Sequence, residues 1–141
     1  FPVIALLEGR AAHEATLRAG SADLAALEAL HQRLQQSAEA GRITEYYEAN
    51  YAIHEAFITL ADNRWLAQVI GDLRKILRLA RHKSLHAPGR MQQSLAEHLA
   101  VFAALKARDC DAAEEAMRTH LLRQRDALRD VARNQQSRLT P

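Results

Sequence analysis

The chain has 141 residues, one cysteine and a formal net charge of only +2, with 19 Lys and Arg against 17 Asp and Glu. This length suits a single domain, expected over residues 1–141. The single thiol excludes an intrachain disulfide. The apolar stretch at residues 1–7 is too short to span a bilayer and lacks the basic leader of a signal peptide. We therefore expect a cytoplasmic protein without a membrane partner.

Apolar residues recur at helical spacing along almost the whole chain, and no segment alternates as a strand would. The first helix is predicted from about Val3 to Ala19, where Gly20 ends it. Ser21 is expected to cap the second helix, which ends at Gly41.

The third helix is predicted from about Thr44 to Ala61, and Asn63 can cap the fourth. Pro88 and Gly89 form the strongest break in the chain and separate the fourth helix from the fifth.

The sixth helix is predicted to begin near Asp111, which has capping-box spacing to Glu114, and to continue to about Val131. The tail over residues 134–141 is expected to be frayed. Six helices with short connections predict an all-α antiparallel bundle.

Three of the seven histidines fall on stripes that should face the core. His98 interrupts the apolar stripe of the fifth helix, and His120 interrupts that of the sixth. On the third helix, Asn50 and His54 are four residues apart and lie one turn above each other.

Burying these four polar groups without partners would cost several kcal/mol, and a shared metal ion would satisfy them all. Three imidazoles and an amide oxygen suit a divalent transition metal, zinc first and nickel second, with coordination positions left open for a ligand. Core histidines that find ordinary hydrogen-bond partners are the alternative interpretation.

Two other histidine patterns are weaker. His82 and His86 have metal-ligand spacing, but their basic neighbours and the following Pro88 place them at an exposed helix end. Glu28 and His31 form the only Glu-x-x-His motif, whereas a di-iron bundle needs two.

Glu55 and Glu97 each adjoin a proposed ligand, but the helical rotation should point them away from the site. No nucleophile motif, phosphate loop or dinucleotide fingerprint is present. The sequence therefore favours a sensor over an enzyme. A metal-dependent enzyme on a helical bundle and a purely structural dimerisation module are the alternatives.

Three segments together form a specific pattern: Asn50-x-x-x-His54-x-x-Phe57 with Asn63, Ser94-x-x-Glu97-His98, and Asp111-Ala112-Ala113 with Met117-x-x-His120-Leu121. The pattern resembles the FCD domain, the effector-binding domain in the FadR branch of GntR-type bacterial transcription regulators. The resemblance extends from about Leu6 to Val131.

This resemblance implies a helical bundle that dimerises and binds a small carboxylic acid beside a divalent metal. Carried over to this chain, the metal ligands are Asn50, His54, His98 and His120. Asn50 stands where most members have Asp, which removes a negative charge and should weaken metal binding. Ile4 stands where many members have Arg, so one expected anchor for an anionic effector is missing.

Arg74, Arg78 and Arg81 follow one side of the fourth helix at i, i+4 and i+7. At least one is expected to reach the effector, and Arg78 is the first choice because it matches a position that is often Arg in the family. A solvated basic stripe is the alternative.

The homodimer that the resemblance implies is permitted by apolar residues outside the core stripes of the first and fourth helices. The candidates are Leu6, Leu7, Ile76 and Leu79. No basic recognition helix or wing precedes Phe1, so we expect DNA contact only through a separate N-terminal domain.

Overall fold

The computed structural model describes residues 1–140 and consists there of six α-helices without a strand. The all-α prediction of about six helices is confirmed. Among the described residues, no helix is long and apolar enough to cross a membrane. The helices are α1 (Pro2–Arg18), α2 (Ser21–Glu39), α3 (Ile43–Leu60), α4 (Arg64–Ser84), α5 (Arg90–Lys106) and α6 (Cys110–Leu139).

Two of the predicted N-terminal caps can be compared with the structure at α2 and α4. Asn63 caps α4 as predicted, since its Oδ1 accepts from the backbone N–H of Leu66 at 3.1 Å. The cap of α2 is Gly20, so Ser21 is already helical and its predicted role is wrong. Asp23 takes over, because its carboxylate accepts from the Gly20 N–H at 2.8 Å.

Both ends of α6 differ from the prediction. Asp109 is the N-cap and accepts from the N–H of Ala112 at 3.1 Å, which leaves Asp111 inside the first turn. The helix then runs to Leu139 instead of ending near Val131, and its last eight residues are exposed. Its C-terminal end has no Gly or Pro to stop it before Pro141, which lies outside the described residues.

The long helix α6 packs against α1, α5 and α4. The α1 and α6 helices are antiparallel, since Gly9 faces Arg118 whereas His13, further along α1, faces Glu114. A Cβ at Gly9 would lie 2.5 Å from Cγ of Arg118, so this close approach needs a glycine. α3 packs on α1, and α2 closes the bundle against α3 and α5.

The core combines a large apolar cluster with a layer of buried polar groups. The cluster is built around Leu27, Leu34, Tyr46, Ile53, Phe57, Phe102, Leu105 and Met117. The polar layer contains groups that are at most 6% exposed: Glu8, His31, Asn50, His54, Arg74, Arg81, Arg90, Glu97, His98, His120 and Gln124. Because burying so many polar and ionisable groups rarely improves stability over apolar packing, this layer is the place to look for function.

Candidate metal centre

Three imidazoles from three helices meet at the middle of the polar layer. His54 on α3, His98 on α5 and His120 on α6 are each at most 1% exposed. Each offers one ring nitrogen, and these three atoms all lie within 4.8 Å of one another. Oδ1 of Asn50 lies 2.5 Å from Nε2 of His98. The structure thus brings together all four residues that the sequence proposed as ligands.

His54 is oriented by a carboxylate from α1. Its Nδ1–H donates to Glu8, which also accepts from Nη2 of Arg81 at 3.0 Å. Burial alone would raise the pKa of Glu8, but Arg81 and His54 outweigh it and hold this pKa far below its usual range. The ionised carboxylate keeps the hydrogen on Nδ1, so Nε2 of His54 carries a free lone pair. This Nε2 is buried and has no hydrogen-bond partner among residues 1–140.

His120 is oriented in the same way by a carboxylate from α5. Its Nδ1–H donates to Oε2 of Glu97 at 2.7 Å, and Arg90 grips the same carboxylate with two bonds of 2.8 and 2.7 Å. Burial opposes ionisation of Glu97, but the hydrogen bonds from His120 and Arg90 bring its pKa down to about 2. Nε2 of His120 is also buried and unpartnered within the described chain.

The expectation that Glu97 points away from the site is therefore wrong. The rotation of the helix does turn Glu97 away from His98, its neighbour in sequence, but this turns it towards α6 and into contact with His120. Glu55, the other carboxylate expected to point away, is half-exposed and bonds to Arg74.

All three imidazoles are held neutral, as metal ligands must be. Burial is the main cause of the lowered pKa of each ring. The pKa of His54 falls to about 3 despite its contact with Glu8, and that of His98 lies well below its usual value because His120 and His54 add to the effect of burial. Neutral rings with unpartnered nitrogens beside an amide oxygen form a donor set that fits a divalent transition metal.

The basic stripe predicted on α4 divides between the interior and the surface. Arg74 and Arg81, two turns apart, are only 6% and 3% exposed. Nε of Arg81 donates to Gln124 at 3.1 Å in addition to its bond with Glu8, whereas Arg74 lies over the ring of Tyr51. Successive residues rotate by about 100°, so Arg78 is turned by roughly 40° from Arg74 and Arg81 by only about 20° in the opposite direction.

The first-choice effector residue lies on the outside. Arg78 is exposed and lines a surface groove of about 620 Å³ between α3 and α4, together with Tyr47, Tyr51 and Lys75. Among the three arginines, Arg81 is the one that contacts the carboxylate holding His54.

The weaker histidine pair stays outside the cluster. His86 is exposed, and His82 is half-buried with its ring edge-on to Tyr47. Their ring centroids are 5.5 Å apart. No buried carboxylate orients either ring within residues 1–140, in contrast to His54 and His120.

Sequence reasoning proposed Arg81 as an effector residue but missed that it forms one network with Glu8 and Gln124 beside the imidazoles. Glu8 did carry a signal, because it interrupts a buried stripe of α1 that includes Ile4, Ala11 and Ala15. An acidic residue at such a position must be paired. The partners come from α3, α4 and α6, which helical periodicity cannot assign.

The family of the chain follows from comparison with known sequences. Residues 1–123 match the model of the FCD domain, so the chain belongs to the FCD domain family. The resemblance inferred from its motifs is confirmed.

Among solved structures, the chain is similar to E. coli McbR/YncC, with a TM-score of 0.82 and 22% sequence identity over 91% of this chain. At this level of identity the likeness shows a common fold. The chain corresponds to 65% of the length of that protein. No curated protein matches the chain in sequence.

Proposed function

We propose that this chain is the effector-binding and dimerisation domain of a GntR-type transcription regulator, and that it senses a small carboxylic acid at a metal ion held by Asn50, His54, His98 and His120. Zinc is the first choice for the ion, and nickel the second. The intact regulator would act in the cytoplasm and contact DNA through a separate N-terminal domain. The observation that carries the proposal is the buried group of three neutral imidazoles, two of which present unpartnered Nε2 atoms.

The ion would supply positive charge and open coordination positions, and the residues around it would orient its ligands. Glu8 and Glu97 fix the tautomer and the orientation of His54 and His120 through their Nδ1–H bonds. Each carboxylate is also tied to an arginine. Because both carboxylates already have these tasks, we assign them to positioning and propose no catalytic step.

The charge balance favours an anionic ligand. Glu8 is paired with Arg81 and Glu97 with Arg90, so these buried pairs contribute no net charge. Asn50 and the three imidazoles are neutral ligands. A divalent ion would therefore leave two positive charges uncompensated in a dry site, where charge imbalance is expensive. A dicarboxylate, or a hydroxy acid that loses a second proton, would restore neutrality.

Arg81 is the best placed of the proposed effector arginines. It reaches Glu8 through Nη2 and Gln124 through Nε, whereas Nη1 has no hydrogen bond to any of residues 1–140. A guanidinium can grip a carboxylate with parallel N–H bonds. We propose that Arg81 holds the far end of the acid, with Arg74 as a second cation. Arg78 is less well supported as an effector-binding residue, because its side chain is exposed.

Metal analysis of the purified protein tests the site. We expect about one zinc or nickel ion per chain, and its loss from His98→Ala and His120→Ala. His86→Ala serves as the matched control, because His86 is exposed and should leave the metal content unchanged. Full metal content in the triple variant of His54, His98 and His120 would refute the proposed ligands.

Calorimetry with two- to six-carbon hydroxy, keto and dicarboxylic acids tests the effector. The best acid should bind less tightly to Arg81→Gln than to Arg78→Gln, and it should lose affinity when the metal is removed. Equal affinity for metal-free protein would show that the acid does not bind at the ion.

The dimer is proposed from large apolar side chains that are exposed on α1 and α4. Ile76 is 78% exposed, Leu79 66% and Leu6 54%, which is unusual for large apolar side chains. Trp65 and Val69 extend the same face of α4 by about three turns. The fourth candidate, Leu7, is half-buried and packs against a small core cluster, so its contribution lies mainly inside the monomer.

A further inference from the structure

A fourth buried histidine lies beside the metal centre and belongs to none of the proposed ligands. His31 on α2 is 3% exposed, and its ring stacks on Phe102 with the centroids 4.4 Å apart and the planes within 12°. Its Nδ1 lies 2.7 Å from the carbonyl oxygen of Leu27. Because a carbonyl can only accept, Nδ1 must carry the ring hydrogen, and Nε2 of His31 is left as an acceptor. This Nε2 is buried, and no donor from the described chain reaches it.

His98 has the opposite problem, because metal binding leaves it with a donor that lacks an acceptor. Its Nε2 faces Oδ1 of Asn50, which can only accept, so without an ion Nε2 must hold the hydrogen. When both atoms give lone pairs to an ion, the ring hydrogen of His98 has to move to Nδ1. That nitrogen then becomes a buried donor, and it has no acceptor within residues 1–140.

The other two imidazoles already have an acceptor for this hydrogen. Glu8 serves His54 and Glu97 serves His120. Metal-bound histidines almost always donate their outer N–H in this way. The structure leaves His98 without such an acceptor and places an acceptor without a donor, Nε2 of His31, on the adjacent ring.

The two rings are close enough to act as a pair. Their centroids are 6.3 Å apart and their planes meet edge-on at 68°. At this separation one buried water can lie between the rings and take both nitrogens as polar partners.

We propose that His31 is the outer hydrogen-bond partner of His98, and that its Nε2 accepts the Nδ1 hydrogen of metal-bound His98, directly or through one water. This inference rests on the metal centre of the proposed function. It makes His31 a positioning residue that connects α2 and the Phe102 stack to the occupancy of the ion. It also explains why a histidine fills this apolar position.

The test compares two substitutions of His31 by their zinc affinity, measured in competition with a chromophoric chelator. His31→Phe keeps a ring on Phe102 but removes the acceptor, and should raise the zinc dissociation constant by about 10- to 100-fold. His31→Gln keeps an acceptor oxygen and should retain most of the affinity. Ser37→Ala is the control on the same helix, because Ser37 is buried but bonds only to the Arg33 carbonyl, and it should have no effect.

Ring ¹⁵N spectra of the wild-type protein give a readout that a merely structural role would not change. On addition of zinc, the hydrogen of His98 should move from Nε2 to Nδ1, and the signal of His31 Nε2 should shift as it begins to accept a hydrogen bond. Wild-type zinc affinity in His31→Phe, equal losses in His31→Phe and His31→Gln, or an unchanged His31 signal would overturn the proposal. Wild-type protein that binds neither zinc nor nickel would refute the metal centre itself, which is a separate outcome.

Discussion

The substitution Glu8→Gln tests whether the buried carboxylates around the imidazoles serve the metal. Glu8 is 1% exposed and bonds to both His54 and Arg81. The amide of glutamine keeps the volume of the side chain and one acceptor oxygen. It loses the negative charge, and its NH₂ group must face either His54 or Arg81, both of which are donors. Breaking a buried charge pair on one side costs about 3–5 kcal/mol, a large part of the roughly 5–15 kcal/mol that stabilises a domain.

The same change should weaken metal binding. Loss of an outer-shell partner typically reduces metal affinity by about 10- to 100-fold. At a zinc concentration about 100 times the wild-type dissociation constant, zinc stabilises the wild-type protein by about 2.7 kcal/mol. The variant would then gain only about 0.4–1.4 kcal/mol at this concentration.

Urea unfolding with zinc and with a chelator separates the two effects. The loss of unfolding free energy in the presence of chelator reports the broken charge pair. The difference in unfolding free energy between the zinc and chelator curves reports the contribution of the metal. Glu14→Gln is the matched control on α1, since Glu14 pairs with Arg10 and Arg18 at the surface and such pairs contribute about 0–1 kcal/mol. If Glu8→Gln unfolded like the wild-type protein in both conditions, the assignment of Glu8 would be wrong.

Three further predictions follow from the same structure. Removing the metal with a chelator should lower the melting temperature of the wild-type protein, whereas His98→Ala should melt at the same temperature with or without chelator. Ile76→Asp should convert the dimer to a monomer in light scattering without destabilising the fold, because Ile76 is exposed in the monomer; a monomeric wild-type protein at high micromolar concentration would contradict this. Gly9→Ala should cost about 1–3 kcal/mol of stability because of the close approach to Arg118, and Arg118→Ala should relieve most of that cost; simple additivity of the two changes would count against the contact.

The sequence alone determined the helices and the faces that carry the proposed ligands. Helical periodicity reports which residues share a face, so polar residues such as His98 and His120 stand out where they interrupt an apolar stripe. Four interruptions on three helices were enough to predict that Asn50, His54, His98 and His120 meet. The structure brings these residues together because the stripes themselves form the bundle interior.

The tertiary structure decided the partners of these residues. Glu97 adjoins His98 in sequence but bonds to His120, and Glu8 reaches His54 across 46 residues. Periodicity gives the direction of a side chain on its own helix but not the neighbour it meets, which depends on how helices pack.

Arg78 shows the same limit on a smaller scale. The stripe of Arg74, Arg78 and Arg81 lies near the boundary between the core and the solvent. Small differences in direction place its members on different sides of this boundary, and only the packing of the helix decides which of them is buried. In α4, Arg74 packs against Tyr51 and Glu55 of α3. Arg81 is buried against Glu8 of α1 and Gln124 of α6, whereas Arg78 stays exposed.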